Sequence, residues 1–178
     1  LDKTIQVVKS DQLGKVERIE DAPRRYIEYC KSKIASELDF SSLHIVIDCA
    51  HGATYHIAPH VFEELGAKID CIGVNPDGFN INKDYGATSP ENLTKTVIEK
   101  RADFGIALDG DGDRLIMVDN KGEVVDGDEA LYIIASTNIA SLNGAVVGTQ
   151  MSNLGLERAI QKLDLEFLRS AVGDRYVM

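Results

Sequence analysis

The stretch "FGIALDGDGDRLIMVDNKG", residues 104–122, sets Asp109, Asp111 and Asp113 at alternate positions with a glycine in each gap. Three like charges so close together repel one another, and Gly110 and Gly112 remove every side chain that could hold them apart. The loop makes chemical sense around a cation. Hard divalent ions take oxygen ligands, and Mg²⁺ commonly keeps one or two carboxylates plus waters and substrate phosphates. Alternation with glycine lets the backbone curl so that all three carboxylates point inward. The competing reading is a solvated acidic turn, because Asp-Gly pairs are common turn formers. One such pair would favour the turn; "DGDGDR" straight after the apolar "FGIAL" favours the metal.

Other metal loops fit less well. An EF-hand wants glycine at its sixth position and glutamate at its twelfth, where counting from Asp109 finds Arg114 and Asn120. A haloacid-dehalogenase-like phosphatase loop reads DxDxT, whereas the fifth residue here is Asp113. A third aspartate suits a metal cage better than a nucleophile with its acid partner. Arg114 follows directly. A guanidinium beside a metal can neutralise a phosphate bidentately while charge moves during transfer; its plainer role is an ion pair with a neighbouring aspartate, worth little at a surface.

The rest of the chain must position this loop. At 178 residues, with 27% charged and 44% hydrophobic residues, the sequence has room for one good core, or for one domain and pieces of others. A net charge of −10 argues against nucleic acid or an anionic membrane as the main partner. No apolar stretch approaches the roughly 20 residues that span a bilayer, and "LDKTIQVVKSDQ" does not read as a signal peptide. Cys30, Cys49 and Cys71 are scattered without CxxC spacing, as expected of reduced thiols in a cytoplasmic protein. The start at Leu1 and the stop at "GDRYVM" suggest a chain cut from something longer.

Strand and helix patterns alternate. "LHIVID" (43–48) is a β-branched run; "TYHIAPHVFEELG" (54–66) reads as a helix capped by Thr54 and stopped by Gly66. A strand at 68–74, a long Gly/Asn/Asp/Pro loop at 75–88 and a helix with Ser89 as cap and Pro90 at its first position come next. Strand 103–108 delivers the aspartate loop, and "RLIMVD" and "EVVDG" flank a "DNKG" hairpin turn. A helix at 128–141, a strand at 144–150, a helix at 153–163 and a strand at 166–172 complete the rhythm. Residues 22–38 read as an amphipathic helix with Tyr26, Ile27, Cys30 and Ile34 inward, and residues 1–20 as a strand and connector left from a preceding domain. The expected fold class is α/β: three layers, α/β/α, around a mixed, largely parallel sheet, plus the first elements of a second similar domain. Open sheets of this kind bind ligands outside the carboxyl ends of their strands, where the aspartate loop sits.

With these residues in view, the chain resembles the α-D-phosphohexomutases. "DGDGDR" after an apolar strand is similar to that family's metal-binding loop. The stretches "IVIDCAHGATYHIAPHVFEELGA", "GFNINKDYGATSPENL", "ALDGDGDRLIMVDNKGEVVDGDE" and "VGDRYVM" look like its phosphoglucosamine mutase branch. The resemblance implies that residues 1–20 end a first domain, that 21–142 form the second, metal-loop domain and that 143–178 begin the third. It implies a phosphoryl shuttle between glucosamine 6-phosphate and glucosamine 1-phosphate, feeding UDP-N-acetylglucosamine and the cell wall, with a phosphoserine donor and a sugar 1,6-bisphosphate intermediate. Asp109, Asp111 and Asp113 match the family's three carboxylate ligands for one Mg²⁺, and Arg114 would stabilise the in-flight phosphoryl group. Asp174 and Arg175 in "VGDRYV" match a third-domain loop near the substrate.

The chain also departs from the family pattern. It contains no Thr-Ala-Ser-His-Asn-Pro-like serine segment, no sugar-selecting loop and no Arg/Ser/Gly phosphate-binding loop. The expectation is therefore a piece of an enzyme, inactive alone, whose partners are a phosphosugar and the missing domains of the same polypeptide. Phosphomannomutase or phosphoglucomutase activity, or a non-catalytic divalent-cation-binding module, are the alternatives. His44, His51, His56 and His60 have no carboxylate partner at evident spacing and read as structural or surface residues.

Overall fold

The computed structural model describes residues 8–34 and 38–178. Its centre is a five-stranded sheet ordered β2-β1-β3-β4-β5. The strands are β1 (His44–Asp48), β2 (Lys68–Ile72), β3 (Phe104–Leu108), β4 (Leu115–Asp119) and β5 (Val124–Val125). β1 runs parallel to both β2 and β3, while β4 returns antiparallel and pairs with the short β5. The sheet is thus mixed and mostly parallel, the expected α/β class. β1 and β3 lie inside the sheet, and their β-branched and small residues, Ile45–Ile47 and Gly105–Ala107, are buried.

Two helices cover the two faces, and the strand period of two decides which residue meets which helix. On one face Val46, Ala107 and Val118 pack with Leu93 and Val97 of α3 (Glu91–Lys100). Gly105 lies under that helix so closely that a Cβ would come within 2.9 Å of Leu93 and Val97 side-chain atoms. On the other face Ile45, Ile47 and Ile106 pack with Ala58 and Phe62 of α2 (Ala58–Glu64). Burying each such aliphatic side chain contributes about 1.5–3 kcal/mol. α1 (Ala22–Lys31) lies against α2, joined by the Lys31–Glu64 ion pair.

A separate parallel pair, β6 (Ala145–Thr149) and β7 (Glu166–Ser170), is connected through α5 (Leu154–Gln161). α4 (Gly127–Thr137) belongs with this pair in packing: Leu131 and Ala135 join Val146, Leu156, Ile160 and Leu165 in one cluster. α4 begins with a capping box in which the Asp126 carboxylate accepts the Glu129 N–H and the Glu129 carboxylate accepts the Asp126 N–H. The chain closes with the single turn α6 (Asp174–Val177). Among the described residues no helix is long and apolar enough to cross a membrane.

Several local expectations need correction. The helix expected over 54–66 is split: a 3-10 turn spans Ala53–His56 and α2 starts only at Ala58. The Ala53 N–H is drawn to the Gly110 carbonyl at 2.8 Å, so Thr54 caps nothing. Ser89 does not cap α3 either; its hydroxyl donates to Glu91 Oε2 at 2.8 Å. α1 ends at Lys31, short of the expected residue 38, and residues 35–37 lie outside the described residues. Ile27 is its buried residue, whereas Tyr26 is 57% exposed. The helix expected to 141 ends at Thr137, followed by a 3-10 turn at Ile139–Ser141. Residues 8–20 hold a 3-10 turn at Ser10–Gln12 and no strand; residues 1–7 lie outside the described residues.

Candidate metal centre

Because β1, β2 and β3 are parallel, their carboxyl ends share one edge of the sheet, and the loops that follow them meet there. Asp109 is the first residue beyond β3. It is only 2% exposed, whereas Asp111 and Asp113 face solvent. One carboxylate oxygen from each of the three lies within 4.8 Å of the others. The loop tightens through a Gly112 N–H to Asp109 carbonyl bond at 3.1 Å, and Gly112 takes φ +78°, a conformation that suits glycine.

Asp109 is held from both sides by Arg114. Its Oδ1 accepts the Arg114 backbone N–H at 3.1 Å and its Oδ2 accepts from Arg114 Nε at 2.7 Å. Burial pushes the Asp109 carboxyl up, but these Arg114 bonds outweigh it and leave the group below the usual carboxylate range. Asp113 moves the other way, raised by the charges of Asp111 and Asp109. Arg114 is raised by its bond to Asp109. Arg114 therefore does form the ion pair with a neighbouring aspartate. Its side chain is still 60% exposed, and among the described residues Nη1 and Nη2 make no hydrogen bond. The donor set is all oxygen and all carboxylate, which suits a hard divalent cation such as Mg²⁺ and does not suit a soft one. A cation at the centre would also relieve the mutual repulsion that raises Asp113.

The supporting loops touch the aspartate loop through backbone. Gly52 lies against Gly110, and Ile81 and Asn82 flank Gly110 closely enough that a Cβ there would sit 2.7–2.8 Å from their side chains. Ala87 N–H donates to the Leu108 carbonyl at 3.1 Å. Asp48, at the end of β1, is fully buried and accepts the N–H groups of Ala50 at 2.9 Å and Gly86 at 2.8 Å. Sequence reasoning did not single it out, and the only available signal was a charged residue ending an apolar strand. A cleft of about 520 Å³ opens beside Asp111 and Gly112; Thr54 and His56 also line it, but its other walls, including Tyr26, Ile57, Val61 and Phe62, are mostly apolar and offer little to a sugar phosphate.

The other sequence candidates lie elsewhere. Asp174 and Arg175 are exposed on α6, which packs against β6; Arg175 Nη2 donates to the Tyr176 hydroxyl at 2.7 Å. Among the described residues no hydrogen bond or ion pair joins either to Asp109–Arg114. The histidines stay outside the carboxylate cluster, yet two of them do have carboxylate partners. His44 Nε2 meets Asp70 Oδ2 at 2.7 Å across the β1–β2 register, and His60 Nδ1 meets Glu63 Oε2 at 3.2 Å. His51 Nδ1 accepts the Asn75 N–H at 3.1 Å.

Residues 24–122 match the family model described as phosphoglucomutase/phosphomannomutase, alpha/beta/alpha domain II, and residues 126–178 match that of domain III. The chain belongs to the phosphoglucomutase/phosphomannomutase family. The resemblance read from its motifs is borne out by curated relatives within this phosphohexomutase family. A protein named phosphoglucosamine mutase from Methylococcus capsulatus is 61% identical over 100% of this chain and 40% of its own length. One of the same name from Marinobacter nauticus is 56% identical with the same coverage. The chain thus spans about two fifths of the relatives it matches. The fold is shared with a crystal structure of a phosphoglucomutase/phosphomannomutase family protein from Burkholderia thailandensis, at TM-score 0.74 and 24% identity over 87% of this chain and 34% of that one.

Proposed function

We propose that this chain is the metal-binding part of a phosphoglucosamine mutase, which interconverts glucosamine 6-phosphate and glucosamine 1-phosphate. The observation that carries the reading is the convergence of Asp109, Asp111 and Asp113 within 4.8 Å at the sheet edge, in a chain 61% identical to a protein of that name. In this reading the three carboxylates hold one Mg²⁺. The bound ion supplies positive charge that stabilises the transferring phosphoryl group. Asp109 orients the Arg114 guanidinium through Nε, which leaves Nη1 and Nη2 to grip phosphoryl oxygens. Gly110 and Gly112 keep bulk away from the approaching phosphate. Asp174 and Arg175 approach the substrate from residues 143–178.

The phosphoserine, which passes its phosphoryl group to the sugar and recovers one from the sugar 1,6-bisphosphate, belongs to another part of the polypeptide. A cytoplasmic place in the supply of UDP-N-acetylglucosamine for the cell wall goes with this assignment. The test is a coupled mutase assay on the full-length polypeptide, primed with the sugar bisphosphate. Glucosamine 6-phosphate should turn over much faster than glucose or mannose phosphates, and the 178-residue chain alone should not turn over at all. Faster turnover of glucose or mannose phosphates assigns a phosphoglucomutase or phosphomannomutase instead. Turnover by the chain alone contradicts the assigned need for an external phosphoserine.

A further inference from the structure

We propose that Asp48 is a positioning residue for the metal centre: its buried carboxylate locks together the two loops on which the Asp109–Asp113 loop rests. The proposal builds on the reading of those aspartates as metal ligands. Asp48 sits directly after Ile45–Ile47 and is fully buried, yet no lysine or arginine pairs with it among the described residues. A carboxylate buried without a cation is costly unless hydrogen bonds replace its water. Here the replacements are two backbone N–H groups from different loops, Ala50 at 2.9 Å on Oδ1 and Gly86 at 2.8 Å on Oδ2.

Each of those bonds leads to the aspartate loop by a short path. Ala50 is held at φ +52°, a left-handed conformation unusual for alanine, and its carbonyl accepts the Asn82 N–H at 2.8 Å. Asn82 and Ile81 in turn flank Gly110. On the other branch, Gly86 is followed by Ala87, whose N–H holds the carbonyl of Leu108, the residue before Asp109. The Gly86 backbone comes so close that a Cβ would lie 2.7 Å from that same carbonyl oxygen. One side chain therefore fixes the approach to Asp109 and the flank of Gly110 at once. Groups that hydrogen-bond a metal ligand directly typically matter tenfold to a hundredfold for metal affinity; Asp48 acts one backbone segment further out, so the low end of that range applies. Asparagine in place of Asp48 keeps the shape but turns an N–H₂ donor against one of the two N–H donors.

The test has two arms. In the ¹⁵N-labelled chain titrated with Mg²⁺, the amide signals of Ala50 and Gly86 should shift together with those of Gly110 and Gly112, with one dissociation constant. If Gly110 and Gly112 shift while Ala50 and Gly86 stay still, the positioning role is overturned and the metal site stands. If none shifts, the metal reading fails and this proposal falls with it. In the second arm, Mn²⁺ affinity of Asp48→Asn, measured well below its melting temperature, should be about tenfold weaker than that of the unsubstituted chain. A lowered melting temperature with unchanged Mn²⁺ affinity marks a purely structural residue and overturns the proposal. Should the variant not fold, the titration of the unsubstituted chain decides alone.

Discussion

Replacing Gly52 by alanine probes how tightly the aspartate loop is braced. Gly52 has φ −103° and ψ −165°, an extended conformation that alanine adopts freely, so any effect comes from contact and not from backbone strain. The added Cβ would lie 2.6 Å from Gly110 Cα and 2.7 Å from its carbonyl carbon. Non-bonded carbons settle at about 3.5–4.0 Å, so the aspartate loop must retreat by roughly 1 Å. No side-chain rotation can relieve a clash between backbone atoms. The retreat also stretches the 2.8 Å bond from the Ala53 N–H to the Gly110 carbonyl. Overpacking costs about 1–3 kcal/mol and the lost hydrogen bond about 1 kcal/mol more. For a chain of this length that lowers the melting temperature by on the order of 5–15 °C. A shift of about 1 Å also exceeds the roughly 0.5 Å tolerance of a binding constellation, so Mn²⁺ affinity should fall at least about tenfold. Thermal melting by circular dichroism and Mn²⁺ titration by water-proton relaxation measure the two effects, with Gly127→Ala, where a Cβ meets nothing within 4 Å, as a control that should change neither. If Gly52→Ala melts and binds like the control, the loops do not press on one another as described.

Burial pushes the Cys49 thiol up to about 12, from 9.0, so in the folded chain at pH 8 it should escape alkylation that urea then permits; mass spectrometry reads the difference. Because the unfolded thiol ionises first, stability should decline as pH rises from about 9 towards 12, and less so in Cys49→Ala. The bond from His44 holds the Asp70 carboxyl below its ordinary 3.8; the stabilisation is full above that value and is lost as pH falls through the lower folded value, so the stability gap between the chain and Asp70→Asn should close in that acid window of a denaturant series. In the full-length polypeptide, Arg114→Gln should lower kcat by about a hundredfold or more while KM changes little, measured in the coupled mutase assay.

What was legible in the sequence was local. Ile45–Ile47 and Phe104–Leu108 read as strands because a few consecutive apolar residues suffice, and "DGDGDR" read as a ligand loop because its residues are neighbours in the chain. Features that depend on two distant segments were not legible. Asp48 is explained by Gly86, and His44 by Asp70 through the β1–β2 register; neither pairing leaves a spacing signal. The misplaced start of α2 goes with a distant contact too. Thr54 has the side chain of a cap, but Gly110 claims the Ala53 N–H and bends the segment into a 3-10 turn. Tyr26 follows the apolar stripe of its helix yet stays exposed, lining an open cleft beside α2, while Ile27 is buried.

Binding of one divalent cation by Asp109, Asp111 and Asp113 together underlies the proposed chemistry. Calorimetric titration of Mg²⁺ into the chain and into Asp111→Ala tests it most directly. Asp111 is exposed and, among the described residues, makes no hydrogen bond or ion pair, so the variant should remain folded and any change in binding should report ligation. One Mg²⁺ should bind per unsubstituted chain, with affinity at least about tenfold weaker in the variant, as expected when one of few anionic ligands is lost. Equal binding by the two proteins would place the metal elsewhere and rule out Asp111 as a ligand.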